Sequence, residues 1–186
     1  MAPASIESLM VRYQEGDLAA ATALVHRLSP QLHRFFLVEF VSRRFADDLL
    51  QETWMRIHEA RHTYRPEQPV LPWLYAIARH VRVDHYRKVR RTAQRETSLE
   101  EASEIPERIG SAAGRTHDVQ ALLATLPESQ REVIALLKLS GMSLEEVARA
   151  TSSSVGSVKQ KAHRAYERLR QLLDVESEGA RKGETS

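Results

Sequence analysis

The sequence predicts an all-α protein of two small helical domains, the C-terminal one a helix-turn-helix, joined by a flexible acidic linker. Apolar residues recur at helical spacing over most of the chain, and 186 residues include only 7 Gly and 6% aromatics. One internal segment, residues 96–107, has five Glu and no Lys or Arg. The predicted domains are residues 1–95 and 118–175, with the linker at 96–117 and a polar, frayed tail at 176–186.

The composition excludes several classes of protein. The chain has no cysteine, which excludes disulfides and thiolate metal sites and fits a reducing cytoplasm. No apolar run approaches the roughly 18 residues of a membrane span, and the N-terminus lacks the pattern of an export signal. We therefore expect a soluble, cytoplasmic protein. Because the net charge is only +2, any affinity for nucleic acid must come from charge segregated along the chain.

Three helices are predicted before residue 42. Residues 5–15 carry apolar side chains on one side and stop at Gly16, and Asp17 then caps a second helix. Ser29 followed by Pro30 is expected to open a third, because proline suits the first turn of a helix. This third helix continues through an apolar segment that includes Leu32, Phe35, Phe36, Val38 and Phe40 and that we expect to be buried.

Residues 47–61 form the next predicted helix, with Leu50, Trp54 and Ile57 packing inward. Its first turns hold a polar set: Asp47, Asp48, Gln51 and Glu52. Acidic side chains are favoured there by the helix dipole. The same set also suits a polar surface that docks on a partner, and the helix alone leaves both interpretations open.

A long basic helix follows an irregular segment, residues 62–72, which contains three prolines. The helix is predicted to begin at Trp73, and residues 79–95 hold seven Arg or Lys and one Asp. Tyr75 and Tyr86 add aromatic surface. Basic and aromatic side chains together can hold single-stranded nucleic acid through phosphate contacts and base stacking. The alternative is an ordinary amphipathic helix whose aromatic residues, Trp73 above all, belong to the core.

The C-terminal domain has the pattern of a helix-turn-helix. Ser143 and Glu146 form a capping box that opens a short helix, and the polar residues 151–154 end it. Ser154 is the expected N-cap of a longer helix, residues 155–173, with apolar residues at steps of 3 or 4 and a mostly basic remainder. Such a second helix fits the major groove of duplex DNA. The alternative is a solvated face on a helical hairpin.

Residues 58–62 also match H-E-x-x-H, the zinc-protease helix motif, in which His58 and His62 would share a metal. The downstream glycine and third histidine of metzincins are missing, because residues 63–66 read TYRP. The chain has no glycine-rich phosphate loop and no cysteine nucleophile. We therefore expect no enzyme activity, no small-molecule substrate, no cofactor and no metal.

Four segments resemble, in order, the motifs of bacterial sigma factors of the extracytoplasmic-function type, group 4 of the sigma-70 family. They are FADDLLQETWMRIHEA, PWLYAIARHVRVDHYRKVRR, LPESQREVIALLKLSGMSLEEVA and SVGSVKQKAHRAYERLRQLL. The resemblance spans about residues 8–174. It implies an alternative sigma factor that directs core RNA polymerase to promoters, recognises the −35 element as duplex, and opens and reads the −10 element.

The resemblance also implies a role for each surface. The polymerase clamp would bind Asp47, Asp48, Gln51 and Glu52. The −10 surface would comprise Tyr64, Trp73, Arg79, His80, Asp84, Arg87, Lys88, Arg90 and Arg91, with residues 62–71 helping to capture a flipped base. The −35 surface would comprise Ser154, Ser157, Lys159, Gln160, His163 and Arg164. The linker would thread channels of the polymerase that RNA otherwise uses.

An anti-sigma factor, often membrane-bound in this family, is a further implied partner. Five positions depart from the family pattern: Phe45, His80, Ser154, Lys161 and Tyr166. His80 leaves the preferred −10 bases open, and the last three leave the −35 sequence open. The main alternative is a helix-turn-helix regulator, because R-E-V-I…G-x-S-x-E-E-V-A also occurs in response-regulator output domains. Against it, residues 1–95 lack the strand–helix alternation of a receiver domain. A zinc hydrolase is the remote alternative.

Overall fold

The computed structural model of the chain describes residues 4–39, 43–96 and 115–183. The N-terminal half contains α1 (Ile6–Gln14), α2 (Leu18–Glu39), α3 (Arg43–Ala60) and α4 (Val70–Glu96), and the C-terminal half contains α5 (Arg115–Ala124), α6 (Glu128–Ile134), α7 (Leu144–Ala150) and α8 (Val155–Gly183). A 3-10 turn (Arg61–Thr63) follows α3, and a π-helical stretch (Ala135–Leu139) follows α6. No strand occurs within the described ranges, and the all-α prediction is confirmed.

The first two helices begin and end as their local signals predict. The Ser5 hydroxyl accepts a hydrogen bond from the Ser8 amide at 3.1 Å, which caps α1. Gly16 has φ +93°, a left-handed conformation that glycine adopts without strain, and it separates α1 from α2. The Asp17 carboxylate then accepts from the amides of Ala19 and Ala20 at 2.9 and 3.1 Å and caps α2.

Pro30 lies inside a helix, so the prediction that it opens a new one is wrong. Helix α2 runs unbroken from Leu18 to Glu39 with Pro30 in its interior. Proline removes one backbone hydrogen bond from a helix, but Leu24, Leu28 and Leu32 are buried on a single continuous stripe across it. Their burial offsets the lost bond because a break at Pro30 would divide that stripe between two helices.

Helix α3 begins four residues before its predicted start. Asp47 and Asp48 consequently lie in its second turn, where the dipole acts less strongly on a charge. The helix-end explanation for these acids is therefore weakened. Leu49 and Ile57 are buried, and Leu50 and Trp54 pack partly buried against the core.

Helix α4 also begins earlier than predicted, at Val70, so that Pro72 falls in its first turn, where no amide donor is needed. It packs against α3 and, in the other half, against α7. Phe35, Phe36 and Tyr75 meet edge to face at the centre, with ring centroids 5.3 to 5.4 Å apart.

The helix-turn-helix has the predicted caps. In the capping box of α7, the Ser143 hydroxyl accepts from the Glu146 amide at 3.2 Å, and the Glu146 carboxylate accepts from the Ser143 amide at 2.8 Å. The Ser154 hydroxyl accepts from the Ser157 amide at 3.2 Å at the start of α8. This last helix runs to Gly183, so residues 176–183 of the predicted polar tail are helical.

The two halves are packed together. Helix α4 contacts α7, and α2 contacts α5, α6 and the π-helical stretch. Buried side chains of both halves belong to one hydrophobic cluster. The predicted linker lies almost wholly outside the described residues, and so does Phe40 of the predicted apolar segment.

Candidate nucleic-acid interface

The predicted docking set lies along the outer side of α3. Asp48 and Gln51 are exposed and Glu52 is half-buried, at positions that share one face of the helix. Met55, 54% exposed, continues this face by one more turn. Asp47 is exposed too, but it accepts a hydrogen bond from His33 Nε2 at 2.9 Å. Met55 was not predicted as part of this face, although its i+7 spacing from Asp48 indicates that it lies there.

Arg56 connects this face to the basic helix. Its Nε donates to Glu52 Oε1 at 2.8 Å, and its Nη1 donates to Asp84 Oδ2 on α4 at 2.7 Å. The hydrogen bond from Arg56 lowers the pKa of the Asp84 carboxyl. Asp84, predicted for the −10 surface, is thus held ionised against α3.

The outer half of α4 carries an exposed basic surface. Besides Asp84, five of the predicted −10 residues are exposed there: His80, Arg87, Lys88, Arg90 and Arg91. Tyr86 is 57% exposed among them and can stack on a base. His85 lies against the Phe45 ring, 5.3 Å between centroids. Burial lowers the pKa of His85, and nearby Lys88 adds to the effect.

Tyr64 and Trp73 sit at the loop that precedes α4. Tyr64 is only 3% exposed, its hydroxyl donates to the Gln68 carbonyl at 2.6 Å, and its ring lies 5.6 Å from that of Trp73. Trp73 Nε1 donates to Thr63 Oγ1 at 3.2 Å. In this arrangement Tyr64 presents no ring face to a base. Beside the pair is a cavity of about 300 Å³, and Arg149 of the C-terminal half forms part of its lining.

Tyr75 is not available for base stacking, contrary to the sequence interpretation. It is buried between the halves, and the Ser140 hydroxyl donates to its oxygen at 2.6 Å. Burial raises its pKa to about 12. The 3.6-residue period explains the error, because Tyr75 shares the inward face of α4 with Ala78 and Arg82, all three of them buried.

Arg79 is engaged by the other half. Its Nε and Nη2 donate to the two carboxylate oxygens of Glu132 at 2.7 and 3.3 Å, and its Nη1 donates to the Ala150 carbonyl at 3.0 Å. Arg82 Nη2 donates to Glu132 Oε1 at 2.9 Å and lies 3.3 Å from Glu128. We call Arg79, Arg82, Glu128 and Glu132 the Glu132 cluster.

Arg82 and Glu132 were not predicted as site residues. Both are buried, at 5% and 6% exposure. A buried charge needs a partner, but the sequence alone does not show that Arg82 and Glu132 are buried. Fifty positions separate the two residues, so no local spacing indicates that they meet.

The predicted −35 surface is open. Lys159, Gln160, His163 and Arg164 are exposed on α8, Ser154 is exposed just before the helix, and Ser157 is half-buried in its first turn. The apolar side of the helix, Val158, Ala162 and Ala165, is buried against the rest of the C-terminal half. His163 Nε2 lies 3.3 Å from Glu167 Oε1 on the helix surface.

The residues of the H-E-x-x-H motif do not converge. His58 Nδ1 is hydrogen-bonded to the Tyr13 hydroxyl at 2.6 Å, and His62 is exposed on the 3-10 turn. Among the described residues, no three His, Cys, Asp or Glu side chains are grouped so that they could hold a metal. Nor is any helix in those ranges both long and apolar enough to span a bilayer.

Two family matches divide the chain along the same halves. Residues 24–92 match the sigma-70 region 2 family, and residues 116–169 match the sigma-70 region 4 family. The RNA polymerase sigma factor CarQ of Myxococcus xanthus is 34% identical over 92% of this chain and 100% of its own length. This chain belongs to the extracytoplasmic-function sigma factors of the sigma-70 family.

Other relatives agree with this assignment. SigF of Caulobacter vibrioides, an ECF RNA polymerase sigma factor, is 31% identical to this sigma factor over 90% of the chain and 93% of its own length. Among solved structures, CnrH in complex with the cytosolic domain of CnrY superposes with a TM-score of 0.71, at 27% identity, covering 91% of this chain and 97% of CnrH. RpoE of Bartonella quintana, in complex with the anti-sigma factor NepR, has a TM-score of 0.69 at 26% identity, covering 83% and 96%.

The family assignment fixes the general function. This sigma factor directs core RNA polymerase to promoters for transcription initiation, so core polymerase and promoter DNA are its partners. The region 2 match also accounts for the N-terminal half, for which a helix-turn-helix regulator has no counterpart.

Proposed function

We propose that this sigma factor uses three surfaces in turn: the outer face of α3 for core polymerase, α8 for duplex −35 DNA, and α4 for single-stranded −10 DNA. The observation that carries the proposal is the coexistence, in one chain of this family, of an exposed acidic face on α3 and exposed basic faces on α4 and α8. The three faces lie on different helices, so each can take a separate partner.

The α3 face suits a basic helical partner. Asp48, Gln51 and Glu52 present two carboxylates and an amide on one side of the helix, and Met55 adds an exposed apolar side chain. Interfaces gain most from such an apolar contact when polar groups surround it. We therefore propose Met55 as the apolar contact within the polymerase-binding face, alongside Asp47 at its edge.

The α8 face suits the major groove. Lys159 and Arg164 can contact phosphates, whereas Gln160 and His163 can hydrogen-bond to base edges. Ser154 and Ser157 lie at the N-terminus of the helix, where backbone amides and the dipole favour a phosphate. We assign phosphate contacts to Lys159, Arg164 and the helix N-terminus, and sequence readout to Gln160 and His163.

The α4 face suits an unpaired strand. Its four exposed cations, Arg87, Lys88, Arg90 and Arg91, can neutralise phosphates, while Tyr86 offers a ring for stacking and His80 a donor. Arg79 and Trp73 lie nearer the loop of residues 62–71. We assign capture of a flipped base to that loop and its cavity.

The working units follow from these surfaces. We propose residues 1–95 as the polymerase and −10 unit, 118–175 as the −35 unit, and the acidic residues 96–117 as a tether along a channel that RNA otherwise occupies. We further propose that the protein performs no catalytic step of its own and acts in the cytoplasm. RpoE is solved in complex with the anti-sigma factor NepR. We therefore propose that an anti-sigma factor, which could be anchored at the inner membrane, binds this chain and holds it inactive.

Reconstitution with core polymerase and a promoter library tests the proposal. We expect initiation at defined start sites only when both the chain and core polymerase are present. A conventional regulator would instead bind duplex DNA alone, as a dimer, and would produce no start sites that depend on the added chain.

The docking face is tested by Asp48→Arg. We expect the variant to lose at least about tenfold in affinity for core polymerase, because it places a like charge against a basic partner, a change that costs about 1.4 kcal/mol or more. Affinity is measured by fluorescence anisotropy, and folding by circular dichroism. Glu15→Arg makes the same charge change at an exposed residue at the end of α1, outside the predicted docking set, and should bind normally. Unchanged affinity in folded Asp48→Arg would overturn the α3 assignment.

A further inference from the structure

Helix α1 lies outside the three proposed surfaces and before residues 24–92, which match the region 2 family. It nevertheless reaches both ends of the loop of residues 62–71, because it packs beside the 3-10 turn and beside α4. Gln14, its last residue, bonds to the start of the loop, and Glu7 bonds to its end. The two residues lie on the same side of α1, about 10 Å apart along its axis. Helix α1 therefore spans the loop.

Gln14 makes two hydrogen bonds from a single side-chain amide. Its Nε2 donates to the Arg61 carbonyl at 2.7 Å and to the Tyr64 carbonyl at 2.9 Å. Both partners are acceptors, so only the nitrogen of the amide can face them, and both of its N–H groups are used. One carbonyl belongs to the first residue of the 3-10 turn and the other to the residue that follows the turn. Gln14 thus fixes the direction in which the chain leaves the turn.

Two further contacts hold α1 in place beside the loop. Tyr13 is buried, its ring lies 5.8 Å from the guanidinium carbon of Arg61, and its hydroxyl is hydrogen-bonded to His58 Nδ1 at 2.6 Å. At the other end, Glu7 Oε1 accepts a long hydrogen bond, 3.5 Å, from the Val70 amide. That amide is the first of α4 and has no acceptor within its own helix. Both ends of the loop are therefore tied to one rigid element.

The Tyr64 carbonyl that Gln14 holds belongs to a wall of the flipped-base cavity. Tyr64 lines this cavity together with Thr63 and Trp73. The Tyr64 ring lies against that of Trp73, and its hydroxyl donates to the Gln68 carbonyl across the loop. A shift of the Tyr64 backbone would move the ring and this cross-loop bond together, and the cavity would change shape with them.

We propose that Gln14 is a positioning residue for base capture, which holds the loop of residues 62–71 in the conformation that receives a flipped base. The proposal rests on the proposed role of that loop. Gln14 acts through the loop backbone, since both of its hydrogen bonds go to backbone carbonyls. A loop that is already ordered binds its ligand more tightly, because binding then costs no ordering of the loop.

Gln14→Met tests the effect on the loop. Methionine keeps the length of the side chain but has no donor, and each lost hydrogen bond changes an equilibrium by about fivefold. We expect hydrogen exchange at the Tyr64 and Gln68 amides, both bonded within the loop, to become about 5- to 25-fold faster by NMR. Gln171→Met makes the same change at an exposed residue of α8 and should leave both rates unchanged. Unchanged rates in Gln14→Met would overturn the proposal.

Base capture is measured with the full chain bound to core polymerase. The probes are fluorescein-labelled single strands that carry the −10 element of a promoter from the library, each with one base replaced by an abasic site. The captured base is the position at which this replacement costs the natural complex the most affinity, about 5-fold or more. Gln14→Met should bind the intact strand about 3- to 10-fold more weakly than the natural chain does. The strand that is abasic at the captured position should bind equally to both proteins, because an empty cavity gains nothing from an ordered loop.

Gln14→Glu provides a second variant of nearly the same size and polarity. Its carboxylate has no donor for the two carbonyls, so it should weaken the intact strand and spare the abasic one as well. If both variants weaken the two strands equally, Gln14 serves only the stability of the fold and the proposal is wrong. If the natural complex has no position that depends on its base, the base-capture role of the loop falls and the proposal falls with it, whereas core-dependent initiation would still support the sigma function.

Discussion

Tyr75 illustrates how one side chain can belong to the core and to a functional contact at once. Its ring packs edge to face on Phe35, while its oxygen accepts a hydrogen bond from Ser140 of the other half. The sequence places it in an aromatic and basic helix, which suggests base stacking. Its actual role is to join α4 to the end of the π-helical stretch.

The pKa of Tyr75 predicts an alkaline loss of stability. Burial raises that pKa to about 12, above the unfolded value of about 10. A raised folded pKa gives stability that is complete below pH about 10 and declines as pH rises toward 12, because only the unfolded chain releases the proton easily. Tyr75→Phe should abolish this component while losing the Ser140 hydrogen bond, worth about 1 kcal/mol at neutral pH.

Urea unfolding at pH about 8 and about 11 measures the effect. The natural chain should lose more stability between the two than Tyr75→Phe does. Equal losses in both proteins would show that the Tyr75 hydroxyl ionises without hindrance in the folded state.

At the scale of elements, Pro30 in α2 shows tertiary packing overriding a local signal. The exposed proline removes one backbone bond to the carbonyl of His26 and crowds it. Pro30→Ala should therefore stabilise the protein by about 1–3 kcal/mol, after allowing for the greater freedom of the unfolded chain. Thermal unfolding measures the gain.

Val25→Ala, an exposed change on the same helix, is the matched control and should shift stability by less than about 0.5 kcal/mol. A loss of stability in Pro30→Ala would indicate that α2 is interrupted at this residue, as the sequence alone suggests.

The features that could be predicted from sequence depend on short-range chemistry. In the capping box of Ser143 and Glu146 and in the cap at Ser154, each side chain bonds to a backbone amide three residues away. The stop at Gly16 is equally local. All of these were predicted correctly, and the caps at Ser143 and Ser154 mark the starts of the two helices of the helix-turn-helix.

The features that could not be predicted depend on the packing of distant residues. The continuity of α2 rests on a stripe of buried side chains, and the position of Glu132 rests on a contact across fifty residues. Glu132 lies in the family segment LPESQREV, whose neighbour Arg131 donates to the Leu123, Ala124 and Leu126 carbonyls at the end of α5. The sequence indicates that this segment matters, but only the folded chain shows that it joins the halves.

The whole molecule combines two family units through a small number of polar contacts on one apolar surface. Helix α4 packs on α7, and α2 packs on α5 and the π-helical stretch. Arg79 with Glu132, Tyr75 with Ser140, and Arg149 with Gln68 fix the register of this surface.

This coupling predicts how the chain unfolds. Because both halves share one hydrophobic cluster, the natural chain should unfold in a single urea transition that coincides by circular dichroism and by tryptophan fluorescence. Both tryptophans, Trp54 and Trp73, lie in the N-terminal half, so fluorescence reports that half alone.

Glu132→Ala leaves Arg79 and Arg82 without their shared carboxylate, a loss of about 3–5 kcal/mol for a buried pair. The two signals should then separate, with the C-terminal half unfolding at lower urea, while Glu145→Ala should keep them coincident. Coincident transitions in Glu132→Ala would mean that apolar packing alone couples the halves, and the cluster would then set the register of the contact without holding it closed.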